Sequence, residues 1–509
     1  MKHLFSPRKI GLAALSLLIF SSCKKEMAPS DNFPVAEFSV KNNPDVTFYA
    51  LSAGNVLDKY NARAPETLLN SANITGLQMG ETIRAIDFRP ATGQLYGISS
   101  GSRVYVINPE TGAARMIGAG PFMPTLSGEY ISLDFNPTVD RMRVTTSSGQ
   151  NLRLNPETGT VAVVDGNING QAGAMISEVA YTNNFAGAAT TTLYDIDVAS
   201  QKLFIQNPPN AGALVEVDSL YLKVTGQGGF DISPDGVALG LFEVNKKATL
   251  FTVDLGTGLA RMVTKYDKNI MYIGLAIPTK PVAYAVSNNT LLIFNPGSTS
   301  STISKPITGL QAGESIAGID FRPLNGQLYA LGTSSRIYTI NASSGAAAMV
   351  GMLSTPLSGT DFGFDFNPVV DRIRIVSNTG QNLRFNPNDG ALIVDGPVNP
   401  AGYAITASAY ANNFAGTTTT TLFNIDANTD MLYIQNPPNN GTQVAVGSLG
   451  INVEAMSGFD IGGTSGMAYA LLSSGGMTKL YNINRTTGAA SVMGSFSSTI
   501  SGFTIGPGF

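Results

Sequence analysis

Two groups of charged residues have the types and spacing to do chemistry. The first is Asp140, Arg141 and Arg143 with Asn151 and Arg153, and it returns as Asp371, Arg372, Arg374, Asn382 and Arg384. Arg141 and Arg143 are two apart, so on a strand they share a face, and Arg153 on the next strand can join them. Two or three guanidinium groups so arranged can clamp a carboxylate or a phosphate. Arg and Asp near turns also pair with each other and with loop carbonyls, and this structural role is the preferred reading because ion-pair networks mimic sites. The repeated pairs Asp87 with Arg89 and Asp320 with Arg322 are read as structural too. The second group is acidic: Glu81 and Glu129, then Glu314 and Asp361. Paired carboxylates are the device of glycoside hydrolysis, and these four are the only catalytic candidates.

Other mechanisms fail on residue type. The one His and the one Cys are His3 and Cys23, and there is no Trp. Beyond residue 23 the chain therefore has no imidazole, thiol or indole, which removes Ser-His-Asp and Cys-His catalysis, His/Cys zinc sites and internal disulfides. Asp165, Asn167 and Asn169 fit the first half of a calcium loop, D-x-N-x-N-G. Position twelve is Ile176 instead of Glu, and the second occurrence reads Asp395, Pro397, Asn399, Pro400, so a plain turn is preferred. No metal and no cofactor is assigned.

Charged residues make up only 13% of the chain against 43% hydrophobic and 55 glycines, which is the composition of a large, turn-rich, all-β protein that collapses readily. The elements that position the charged groups come from repeats. IDFRP occurs at 86–90 and 319–323, FNPxVDRxR at 135–143 and 366–374, and GQNLR at 149–153 and 380–384. NNFAG at 183–187 and 412–416 and QNPPN at 206–210 and 435–439 complete the series, with offsets between 229 and 233. Within each copy, four short strands separated by turns recur about every 45 to 50 residues, the pattern of one propeller blade. Asp87, Asp134 and Asp231 mark this period, each beside a Phe. Asn108-Pro-Glu-Thr-Gly112 joins a hairpin, with Pro presetting the turn and Gly taking positive φ.

The fold class expected is thus an all-β β-propeller, with five blades per copy. The first blade of each copy lacks its innermost strand, which Val35–Val40, Ile273–Ile277 or Ser501–Ile505 can supply. If the last two return to their own copies, two tandem five-bladed propellers result; the alternative is one ten-bladed ring. Two rings are preferred, since each copy then closes its own edges. The loops entering each innermost strand should gather at one mouth, and they carry Glu81, Glu129, Glu314 and Asp361.

The N-terminus reads as an export signal. Lys2, Arg8 and Lys9 precede an apolar run, Ile10 to Phe20, too short to span a bilayer, and Ser21 and Ser22 precede Cys23. Cys23 is read as the lipidation site of a bacterial lipoprotein, although Phe20 stands where Leu is commoner. The domains are residues 1–22 as signal peptide, 23–45 as lipidated Cys and tether, 46–277 as the first repeat domain and 282–509 as the second. About 20 flexible residues reach roughly 25 Å, enough to lift a body off the lipid. Removing 1–22 takes three of the 31 basic residues and none of the 35 acidic ones, leaving −7, so no nucleic-acid partner is expected.

The strings GIDFRP and GQLYAL at 318–331, FDFNPVVDRIRIVSNTGQNLRFNP at 364–387, AYANNFAGTTTTTLFNID at 409–426, IQNPPNNGT at 434–442 and SGFDI at 457–461 closely resemble a bacterial family, the 4394 family of domains of unknown function. The resemblance spans both copies, nearly all of residues 46–505, and implies a propeller-like, secreted or envelope-associated protein. It brings no reaction and no ligand. The reading is an exported, lipid-anchored binding or scaffolding module on the cell envelope, on the outer membrane of a Gram-negative-type bacterium, taking a protein or glycan. The alternative is an envelope glycan hydrolase or lyase using paired carboxylates.

Overall fold

The computed structural model describes residues 43–266, 270–454 and 457–509. The signal segment, Cys23 and the candidate closing strand Val35–Val40 lie outside the described residues. Among those described, the protein is all-β: ten four-stranded antiparallel sheets, five from each copy. No helix among them is long and apolar enough to cross a membrane.

Each sheet begins on a mostly buried strand and ends on a more exposed one. Ile131–Asn136 is buried at five of six positions, whereas the fourth strand of that sheet, Thr160–Val164, is mostly in solvent. Leu95–Ser99 is buried at every position, as a strand with neighbours on both faces must be, so its residues are apolar without alternation. The hairpins follow turn chemistry. The Asn108 side-chain carbonyl accepts from the Glu110 and Thr111 N–H groups, and Gly112 closes the turn at φ 74°, where a Cβ would lie 2.2 Å from the Asn73 carbonyl.

Both copies complete their first sheet with their own last strand. Tyr272–Ala276 pairs with Thr47–Ser52, and Gly502–Ile505 pairs with Ala283–Ser287. The buried edge strands then pack in a cycle. Ile83–Phe88 lies against Ile131–Asn136, that against Ile176–Tyr181, next Thr225–Ile232, next Tyr272–Ala276, which returns to Ile83–Phe88. The second copy repeats this with Ile316–Arg322, Phe362–Asn367, Ile405–Tyr410, Gly458–Ile461 and Gly502–Ile505.

The two copies share packing. Ala91 and Ala186 of the first join Val282, Tyr284 and Ile293 of the second in one apolar cluster. The Tyr284 hydroxyl donates to the Ala91 carbonyl at 2.9 Å, and Arg89 Nη1 to the Gly326 carbonyl at 3.0 Å.

Candidate functional site

The arginine sets are built into the sheets. Arg143 and Arg153 face each other across adjacent strands and converge on Asp165. Arg143 Nη1 donates to Asp165 Oδ2 at 2.6 Å and to Asn151 Oδ1 at 2.7 Å, Nη2 to Asn210 Oδ1 at 2.7 Å, and Nε to the Tyr181 hydroxyl at 3.3 Å. Arg153 holds both Asp165 oxygens, at 2.7 and 2.8 Å. Arg374, Arg384 and Asp395 repeat the arrangement, with Asn382, Asn439 and Tyr410. Arg143 and Arg374 are fully buried, so their donors are spent inside the protein. Arg141 and Arg372 are half-exposed and donate to the carbonyls of Asp140 and Asp371, while those two carboxylates pair with Arg89 and Arg322. Of the calcium-loop candidates, Asp165 is held by the two arginines, and the Asn169 amide donates to the carbonyls of Asn167 and Ala211 at 2.8 and 2.7 Å.

The four acidic candidates have separate surroundings. Glu81 pairs with Arg103 and accepts from the Tyr105 hydroxyl at 2.9 Å. Glu314 is buried and accepts from the Ser334 N–H at 2.8 Å, Arg336 at 3.0 Å and the Tyr338 hydroxyl at 3.2 Å. Burial pushes its carboxyl up, and these bonds outweigh that, holding it below the usual range. Glu129 is exposed, and its backbone carbonyl accepts from Arg84 at 2.6 Å. Asp361 is buried and accepts from Thr360 at 2.7 Å and Asn378 at 2.9 Å.

Asp361 also lines a cavity of about 490 Å³ at one end of the second cycle. Ser287, Asn289, Ser315, Thr333, Thr406 and Ser501 contribute hydroxyls and amides to it, and Phe362, Ile316 and Ala317 contribute apolar surface. Beneath lies a gap of about 10 Å³, lined by Gly318, Gly363, Ala407, Gly458 and Gly502 on the five edge strands. At the corresponding end of the first cycle Gln227 and Arg84 span the strands. Gln227 Nε2 donates to the carbonyls of Arg84, Ile131 and Ile273, at 2.5, 2.9 and 3.1 Å, and Arg84 donates back to Gln227 Oε1 at 3.1 Å. Where the second copy has Ala317, Gly363 and Ala407, the first has Arg84, Ser132 and Glu178.

At the centre of each cycle lies a set of three buried carboxylates: Asp87, Asp134 and Asp231, and Asp320, Asp365 and Asp460. Within each set the oxygens lie within 4.8 Å of one another. Each Asp reaches from its own edge strand to the next: Asp87 accepts from Phe135 N–H at 2.8 Å, Asp134 from Tyr181 N–H at 3.1 Å and Asp231 from Ile277 N–H at 2.6 Å. In the second copy the acceptances are from Phe366, Tyr410 and Ile505, and the Thr504 hydroxyl lies 3.0 Å from Asp320 and 2.7 Å from Asp460. Burial and mutual repulsion raise the carboxyls of Asp87, Asp134, Asp320 and Asp365 well above the usual range. Burial pushes Asp231 up to about 7 and Asp460 up to about 6. In the sequence the first three stand out only as markers of the repeat. The usable signal was their recurrence at one repeat position, because a cyclic array brings equivalent positions together.

Among solved structures the chain is similar to PorZ, an essential bacterial surface component of the type-IX secretion system of Porphyromonas gingivalis, at 14% identity and a TM-score of 0.26 over 89% of this chain. It spans 58% of that chain's length. It is similar also to the extracellular domain of the putative hybrid two-component system BT4673 from B. thetaiotaomicron, at 10% identity and a TM-score of 0.26, over 89% of this chain and 70% of that one. No curated protein matches it. The model of the domain of unknown function DUF4394 matches twice, over residues 56–276 and 290–504, the two copies already seen in the repeats and the sheets, and the chain belongs to that family.

Proposed function

We propose that the protein is an exported lipoprotein whose two copies are five-bladed β-propellers, and that it is a binding module for a neutral glycan on the cell envelope. The cavity at the end of the second cycle carries this reading. Its size, about 490 Å³, suits a ligand of one to a few sugar rings. Its lining of hydroxyls and side-chain amides offers both donors and acceptors, which is what sugar hydroxyls require, and Phe362 adds apolar surface. The cycle of edge strands and the closure of each copy by its own last strand support two propellers over one ten-bladed ring. Support for export and anchoring comes from the basic, apolar and Ser-Ser-Cys order of residues 1–23.

Binding is favoured over turnover by the acidic residues around the cavity. A glycosidase needs two carboxylates flanking the bond. Among the described residues lining the cavity only Asp361 has one, and Glu314 nearby in sequence is bound to Ser334, Arg336 and Tyr338. The test is calorimetry of the purified protein against a panel of envelope and plant glycans, with Ala317→Arg introducing the first copy's Arg84 at the cavity wall. At least one glycan should bind and the variant should lose about tenfold or more in affinity. Absence of binding across the panel, or unaltered affinity in Ala317→Arg, would overturn the reading; turnover abolished by Asp361→Asn would establish the hydrolase instead.

A further inference from the structure

The cavity of the second copy is blind. All five sheets of that copy wall it, through Ser287 and Ser501, Ala317, Phe362, Thr406 and Ser457. On each edge strand the wall residue is followed directly by one of the layer beneath: Ala317 by Gly318, Phe362 by Gly363, Thr406 by Ala407, Ser457 by Gly458 and Ser501 by Gly502. That layer is mostly backbone. A Cβ on Gly363 would stand 2.0 Å from Ser408 Oγ, one on Gly458 2.4 Å from Phe503 Cβ, one on Gly318 2.7 Å from Phe364 Cβ and one on Gly502 2.9 Å from the Ile319 nitrogen. Neighbouring edge strands therefore approach too closely here for side chains to stand between them, and the gap of about 10 Å³ that remains is at the limit for a single water. Two residues further along these strands the centre of the cycle is crossed again. Asp320, Asp365 and Asp460 bring oxygens within 4.8 Å of one another there, and the Thr504 hydroxyl bonds to Asp320 at 3.0 Å and to Asp460 at 2.7 Å.

A pocket of this shape restricts which part of a polymer can enter. A ring inside a glycan chain is bonded to neighbours on two sides, so a site that encloses it needs two exits. A terminal ring needs one, and among the described residues this cavity opens only outward, with the glycine layer shutting its inner end. A terminal ring also carries a free hydroxyl where an interior ring carries its second glycosidic oxygen. Buried in the wall directly above that layer are Thr406 and Ser457, 2% and 5% exposed and bonded to each other at 2.7 Å, whose hydroxyls can both donate and accept. At this level of the first copy Arg84 and Gln227 bridge the edge strands instead, so one site per protein is expected.

We infer that the pocket takes the end of a glycan chain and rejects its interior, so that its ligands are short oligosaccharides and the termini of longer chains. This rests on the reading of the cavity as a glycan site.

The test uses the full chain and calorimetry, with unbranched α-1,4-glucan, β-1,3-glucan and β-1,4-mannan, each as the intact polymer and as short fragments. An unbranched chain has one end of each kind. Saturation should therefore come at one protein per chain for polymer and fragment alike, with similar affinity per chain, and the binding should fall about tenfold or more in Ala317→Arg. Closed rings of α-1,4-glucan, which have the same linkage and no end, should not compete with the fragments. A number of bound proteins that rises with chain length, or closed rings that compete as well as open fragments, would overturn the inference while leaving the cavity a glycan site. End-dependent binding that Ala317→Arg leaves unaltered would place the ligand elsewhere and overturn it too. Absence of binding to every glycan would remove the reading of the cavity and the inference together.

Discussion

Replacing Arg89 with Met removes five N–H donors while keeping most of the side-chain volume. Arg89 and Asp140 are each 1% exposed, and Glu157 is nearly as deep. Nε donates to Asp140 Oδ1 at 2.8 Å, Nη2 serves Asp140 Oδ2 and Glu157, and Nη1 reaches the Gly326 carbonyl in the other copy. The variant would leave two carboxylates and a carbonyl buried without the guanidinium that binds them, and breaking such a pair from one side costs about 3 to 5 kcal/mol. Arg322, its equivalent, is the internal control. Its partner Asp371 is 24% exposed, and Asn388 takes the place of Glu157, so Arg322→Met strands one carboxylate that water reaches. That loss should be about 1.5 to 3 kcal/mol, the range for a hydrogen bond to a charged group. Urea denaturation followed by circular dichroism reads both. For a copy of this size, the Arg89 loss corresponds to a fall of roughly 6 to 20 °C in melting temperature. Burial raises the Glu157 carboxyl while Arg89 lowers it, so Glu157 should take up a proton once Arg89 is gone, and the deficit should be larger at pH 8 than at pH 5. A deficit below about 1 kcal/mol, or one no larger than that of Arg322→Met, would refute the argument that this network is held by uncompensated burial.

The second carboxylate set predicts a stability that falls with rising pH. Asp460 faces Asp320, Asp365, Thr504 and Asn413, and burial pushes it up to about 6, so the native state keeps a proton that the unfolded chain releases between about pH 4 and pH 6. Stability is then fullest below the unfolded value and drops by on the order of 3 kcal/mol as pH rises through the folded one. Asp365, whose one backbone bond is to Tyr410 N–H, can become Asn without losing it. Asp365→Asn should flatten the melting-temperature profile between pH 4.5 and 7.5, and an unchanged slope would contradict the repulsion. Cys23→Ala should move the protein from the membrane fraction to the soluble fraction on cell lysis; continued retention would rule out the lipid anchor.

The sheets were legible because each repeat makes the same demands: a buried run, a Gly-bearing turn, another buried run. Asn108 to Gly112 announced its hairpin from turn chemistry alone, and the offset copies announced the duplication. Which segment completed each first sheet was a choice among three in the sequence, since short apolar runs such as Ile273–Ile277 carry no mark of their partner. The structure supplies the partner through the long-range pairing of Tyr272–Ala276 with Thr47–Ser52. The repeat places the four acidic residues on loops that should gather at one mouth. Glu81 and Glu314 are instead covered by Arg103 with Tyr105 and by Arg336 with Tyr338, two residues apart in each case and 22 and 24 residues further along the chain. Glu178 gave no warning at all. It is buried between strands some 47 residues away on either side, a three-dimensional circumstance with no local signature.

Closure of each copy by its own last strand fixes an order of maturation. The first copy needs nothing beyond residue 277 to pair every strand it owns, so these strands can pair while the rest of the chain is still being made. The second copy cannot finish until its final residues, Gly502–Ile505, have arrived, because Ala283–Ser287 waits with an open edge through more than two hundred residues of synthesis. Loss of Gly502–Ile505 would therefore leave the strands of the first half paired and Ala283–Ser287 with an open edge, the kind that recruits other chains.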